Sequence, residues 1–112
     1  FIATEEARAT DAYKQAIVDG DSDHIVYSNL FTGVHGNYLA PSIRAAGLDP
    51  ANLPQSDPSK MNFGGGTAAK AWKEIWGCGQ GIGAVTQVQT TARYVAQLKR
   101  EYTQAKQRVL GA

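Results

Sequence analysis

Cysteine occurs once in the 112 residues, at Cys78. One thiol excludes an intrachain disulfide framework and leaves a cysteine-based zinc site without a second ligand, which fits a reducing compartment, the cytoplasm by default. Long apolar runs are also missing. Nothing approaches the ~20 residues that cross a bilayer, and no basic segment leads into an apolar stretch and cleavage site, so no membrane partner is expected. Histidine is scarce. His24 and His35 fall in different elements, without the spacing of a metal site. Ser22, Ser28 and Ser42 lack the strand-turn-helix context of a hydrolase nucleophile. No catalytic residue and no metal ligand is assigned, and both histidines are expected on the surface or in loops.

A net charge is nearly absent too. Eleven bases oppose ten acids, giving +1, so no global field would draw in nucleic acid. The distribution is less even. Residues 1–59 carry eight acids and three bases, about −5, and residues 60–112 carry eight bases and two acids, about +6. The halves can attract each other. Arg93, Lys99, Arg100, Lys106 and Arg108 are expected to solvate a terminal helix and complement its dipole.

What is present reads as a mostly helical single segment. Thr4, Glu5 and Glu6 carry a helix-start signal, a hydroxyl for orphan amides followed by acids, and a short first turn is expected there. Thr10 and Asp11 repeat it before Ala12, Tyr13, Ala16 and Ile17, which share one helical face, with Gly20 as the stop. A polar turn, Asp19 to Asp23, precedes a short strand at Ile25, Val26 and Tyr27. Gly33 to Asn37 reads as loop, and Pro41 opens a helix of about two turns ending near Gly47. Residues 49–66, with Pro50, Pro54, Pro58 and Gly64-Gly65-Gly66, read as a long loop of the kind that often covers a site. Thr67 is expected to cap a helix carrying Ala68, Ala71, Trp72, Ile75 and Trp76, ended by Gly77. Val88, Ala92, Val95, Leu98, Tyr102, Ala105 and Val109 keep a three-four spacing to the end of the chain and predict a last helix.

Between those helices lies Gly77-Cys78-Gly79-Gln80-Gly81-Ile82-Gly83, four glycines in seven positions. Such a loop can bring backbone amides against an anion or cofactor. It lacks both the G-x-G-x-x-G spacing after a strand and the Gly-Lys-Ser/Thr of a phosphate loop. As a plain connection it would need no ligand. Gln80, flanked by Gly79 and Gly81, is the strong polar side chain within it. Cys78 is expected to pack.

Phe1 to Ala7, Ala12-Tyr13-Lys14, Asn29-Leu30-Phe31-Thr32-Gly33, Ala71-Trp72-Lys73 and Gly77 to Gly81, in this order, resemble the C-terminal third of the nitronate monooxygenases, formerly 2-nitropropane dioxygenases. The tail, with Val85 to Val88 followed by Leu98, Arg100, Glu101 and Tyr102, is similar as well, so the resemblance spans essentially the whole chain. It implies the C-terminal portion of an FMN-binding (β/α)8 TIM barrel: the end of strand 8, its helix and a helical extension. A complete barrel needs roughly 250 residues, so a fragment is implied, and a start at Phe1 rather than Met fits one. The missing N-terminal barrel portion would be its packing partner, received partly on Ala12, Ala16 and Ile17.

The resemblance further implies FMN as cofactor and oxidation of alkyl nitronates by dioxygen. The family's Gly-Thr phosphate step and its proton-abstracting histidine would precede Phe1, so neither His24 nor His35 inherits that role, and the fragment alone is expected to be inactive. Gly79, Gln80 and Gly81 would be its cofactor contacts, with Trp76 anchoring the loop base by burial. Two other readings stand beside it. A flavin-dependent enoyl-acyl-carrier-protein reductase has a similar fold and loop, and a small helical module would have no enzymatic role.

Overall fold

The computed structural model describes residues 1–55 and 73–111. Thr10 opens the first helix as its position suggests. Its Oγ1 accepts from the Tyr13 amide at 3.2 Å, and α1 runs Asp11–Asp19. Gly20 closes it, donating its N–H to Ile17 O. Asp21 then caps a 3-10 turn, Ser22–His24, reciprocally with the His24 ring, and the chain enters β1 (Ile25–Ser28).

β1 pairs antiparallel with β2 (Gly36–Leu39), in the register Ile25 to Leu39 and Ser28 to Gly36. The expected loop therefore ends earlier than the composition suggested, because Gly36 and Asn37 are strand residues. Glycine and asparagine disfavour strands intrinsically, and here pairing on both sides of β2 overrides that preference. Leu39 leads directly into α2 (Ala40–Ala45), with Pro41 in its first turn where no amide is missed. Gly47, at φ +88°, ends the helical path in the left-handed region that glycine tolerates best.

Asp49 to Gln55 contains neither helix nor strand, and the remainder of the long loop at 49–66 lies outside the described residues. So does the expected helix from Thr67 as far as Trp72. Lys73 and Glu74 are helical, but Ile75 and Trp76 are not. Trp76 has left the helix because its backbone serves β2: its carbonyl accepts from Leu39 N at 2.8 Å, and Cys78 N donates to Asn37 O at 3.2 Å around an antiparallel bridge between Tyr38 and Gly77. The stretch Trp76 to Cys78 lies along the free edge of β2.

The core gathers Ala3, Ile17, Leu39 and Ile82, with Tyr13, Ile25, Trp76 and Val85 packed against it. Ile17 is 4% exposed, so it serves this core and is not a face held open for a missing layer. Ala12 is exposed and Ala16 half-buried. Lys14, which apolar spacing could not flag, is also buried, its stem under the N-terminal segment and its Nζ donating to Glu5 O at 3.3 Å.

The N-terminal segment turns at Ile2-Ala3 and again at Glu5-Glu6, with a bridge residue, Thr4, between them. Glu5 N donates to Gln89 O at 3.0 Å and Gln89 N to Ala3 O at 3.4 Å, a parallel bridge between Thr4 and Gln89. The short first turn expected at Thr4 is present but does not continue into a helix. The Thr4 hydroxyl donates back to Phe1 O, and a single turn closes from Ala7 N to Thr4 O. Glu6 instead caps α3 (Thr91–Gly111), accepting from Thr91 N at 2.9 Å and Thr91 Oγ1 at 2.8 Å. α3 starts three residues after Val88 and carries no buried residue. It extends away from the body: the radius of gyration is 17.2 Å, against about 13 Å for a compact chain of this length. Among the described residues no helix is long and apolar enough to cross a membrane.

Candidate functional site

The glycine-rich segment is held from both ends. Upstream, the Tyr13 ring stacks on Trp76, with centroids 4.9 Å apart and planes 6° off parallel, and the Tyr13 hydroxyl donates to Gly77 O. The Trp76 amide donates to Ser42 Oγ at 3.1 Å, and that hydroxyl, almost fully buried, donates to Leu39 O at 2.7 Å. The Trp76 indole N–H reaches Lys73 O. Trp76 thus fixes the loop base by stacking and hydrogen bonding while itself half-buried. Downstream, residues Gln80–Ala84 form a 3-10 helix that drops Ile82 into the core beside Ile17 and Leu39. What reads in sequence as a flexible connection is a tethered structure.

Within it, Gly79, Gln80 and Gly81 are all exposed. Gly79 has φ −83°, which any residue can adopt, and a Cβ at Gly79 or Gly81 would meet no atom of the described residues within 4 Å. Neither backbone conformation nor internal packing requires glycine at these two positions. Gly77 and Gly83 differ, since a Cβ there would touch Asn37 O at 3.5 Å or Asp21 at 3.6 Å.

Gly79 also lines a cleft of about 140 Å³ whose other wall is the N-terminal segment, including Phe1, Ala3 and Thr4, with Cys78 and Tyr94. Gln80 and Gly81 lie outside that lining. The cleft joins residues about 75 positions apart in sequence. No local pattern announces that juxtaposition, which the Thr4–Gln89 bridge accompanies.

Cys78 faces the same cleft. Burial raises its thiol to about 11, so it is protonated at neutral pH and a weak nucleophile. Packing, the expected role, accounts for it. Burial, and secondarily the neighbouring Cys78, also raises the Tyr13 phenol.

The histidines are elsewhere. His24 Nδ1 lies 3.1 Å from Asp21 Oδ1 in the capping turn, and His35 stacks on Tyr27 at 4.7 Å. A larger, open groove of about 650 Å³ runs between α1 and α2, with Asp19, His24, Arg44, Lys73 and Trp76 among its lining. Its charges are of both signs, and it does not include Gly79, Gln80 or Gly81. Among the described residues no group of three or more histidine, cysteine or acidic side chains could hold a metal ion.

No family model, no curated protein and no solved structure matches the chain.

Proposed function

We propose that the chain is the C-terminal part of an FMN-dependent nitronate monooxygenase of the cytoplasm, contributing one edge of the flavin site. The observation that carries this reading is the cleft in which Gly79 faces the segment Phe1 to Thr4. In the resemblance, those two segments are the end of the eighth barrel strand and the loop returning to the flavin.

The residues present fit part of an FMN site. Gly79 and Gly81 have open space where side chains would stand, so a planar ring can lie against their backbone. The Gln80 amide can donate to a flavin oxygen and accept from an N–H. A cleft of about 140 Å³ is well below the ~300 Å³ at which ligand pockets begin. This chain therefore supplies a wall, and the barrel portion supplies the rest, including the phosphate contacts. When bound, FMN supplies the redox chemistry with dioxygen. Gly79 to Gly81 position it and exclude water from one edge, and the nitronate's proton is handled upstream.

The test is nitronate-dependent oxygen consumption and flavin titration on the complete protein that contains this segment. Gln80→Ala is expected to weaken FMN binding or turnover a few-fold to ten-fold, the loss of about one neutral hydrogen bond at ~0.5–1.5 kcal/mol. His35→Ala should leave turnover near wild type. Loss of activity in His35→Ala with an unchanged Gln80→Ala would sink the assignment. The 112-residue chain itself should show no sub-micromolar FMN binding in a fluorescence titration.

A further inference from the structure

The long helix α3 displays an apolar stripe that is exposed among the described residues. Val95, Leu98, Tyr102 and Val109 are 51%, 37%, 73% and 81% exposed. With Ala105 they recur at three and four residues. Taking Val95 as position a of a heptad puts Val95, Tyr102 and Val109 at a, and Leu98 and Ala105 at d. The body meets α3 elsewhere: Tyr94 packs edge-on against Phe1, and Gln97 accepts from Gln89 at 2.9 Å.

We infer that this stripe is the contact surface of a homodimer in which two copies of α3 pair in parallel and in register. Three observations select that occupant. First, β-branched residues at two of three a positions, with leucine at a d position, favour two strands.

Second, the charges beside the seam are sorted by edge. One edge carries Lys99 and Lys106, and the other carries Tyr94, Glu101 and Arg108. An antiparallel pair would set the lysine edge against itself. A parallel pair sets Lys106 opposite Glu101 of the second copy, five positions apart as such pairs require. Arg93 and Arg100 point away from the seam and do not oppose their counterparts.

Third, the helix is already formed. The Glu6 cap and the Gln97 to Glu101 hydrogen bond at 2.8 Å order it without a partner, so association does not bear the cost of folding it. The stripe's five residues span about 21 Å of helix, which fits a weak, concentration-dependent dimer and not an obligate one. The inference does not depend on flavin binding.

Sedimentation equilibrium of the 112-residue chain across rising concentration is expected to show a monomer–dimer equilibrium. Glu101→Lys should raise the dissociation constant roughly three- to ten-fold, Lys106→Glu should do the same, and the two together should restore association. In a Cys78→Ala background, Val109→Cys should cross-link to its own copy under mild oxidation far faster than Gln107→Cys, which sits on the opposite face. Circular dichroism checks that each variant stays helical. A chain that remains monomeric throughout overturns the inference. So does failure of the double charge reversal to restore pairing, or equal cross-linking at positions 107 and 109, which would leave the stripe to an antiparallel copy or a different partner.

Discussion

The body and the terminal helix use similar amounts of apolar residue to opposite ends. In the body, Ile17, Leu39, Ile43 and Ile82 are each at most 6% exposed. Along α3 no residue is buried. Both regions show clear helical or strand periodicity, so periodicity indicates which residues share a face. It does not indicate whether the chain itself supplies something to cover that face. In the body, the cover comes from strand pairing between distant segments. On α3 it must come from outside the 21-residue helix.

The sharpest way to break that contrast is truncation in each region. Leu39→Ala, at a fully buried site, should cost about 2–5 kcal/mol in a urea melt. Val109→Ala should change stability by no more than about 0.5 kcal/mol at low protein concentration. Comparable losses at the two sites would mean α3 is integral to the folded body.

The glycines offer a second, smaller contrast. A Cβ at Gly20 would lie 2.9 Å from both Ala16 O and Ile82 Cδ1. Because one of these atoms is backbone, Gly20→Ala should destabilise by about 1–3 kcal/mol through overpacking. Gly79→Ala and Gly81→Ala, which meet nothing, should stay within about 0.5 kcal/mol of wild type. A loss of flavin binding in those two variants at unchanged stability would isolate a contact made from outside the chain.

The joint between the regions gives the smallest effect, readable by pH. Hydrogen bonds from Thr91, the backbone amide first and then the hydroxyl, hold the Glu6 carboxyl below its ordinary value. A depressed acid contributes stability that is complete above the unfolded-state pKa and is lost as pH falls through the folded one. The protection factors of the first-turn amides of α3, taken against the intrinsic exchange rate at each pH, should therefore fall on acidification. Glu6→Gln should remove that pH dependence, and a variant that keeps it would place the cap elsewhere.

These results also mark what the sequence could tell. Thr10, Gly20, Pro41 and Gly47 were readable as starts and stops because capping is local backbone chemistry, complete within one turn. β2 was not, since Gly36 and Asn37 are turn formers by intrinsic preference and become strand residues only by pairing with Tyr27, Ser28 and the stretch around Gly77. Trp76 kept its helical spacing and still left the helix, because its carbonyl is more useful to Leu39. Thr4 and Glu6 carried a start signal for the wrong helix: the acid caps α3, 85 residues away. Of the candidate site, the glycine-rich segment around Gly79 to Gly81 stood out by composition alone. The wall that faces Gly79 did not, because no local pattern encodes a meeting of residues 1–4 with residue 89.

That meeting also sets a timetable for synthesis. Ala3 and Thr4 leave the ribosome long before Gln89, their hydrogen-bonding partner. Closing a loop of that length costs roughly 4 kcal/mol of chain entropy before any contact offsets it. A nascent chain stopped anywhere short of Gln89 holds an unpaired strand edge, and it is in that interval, more than in the finished molecule, that the segment is open to chaperones, proteases and its own kind.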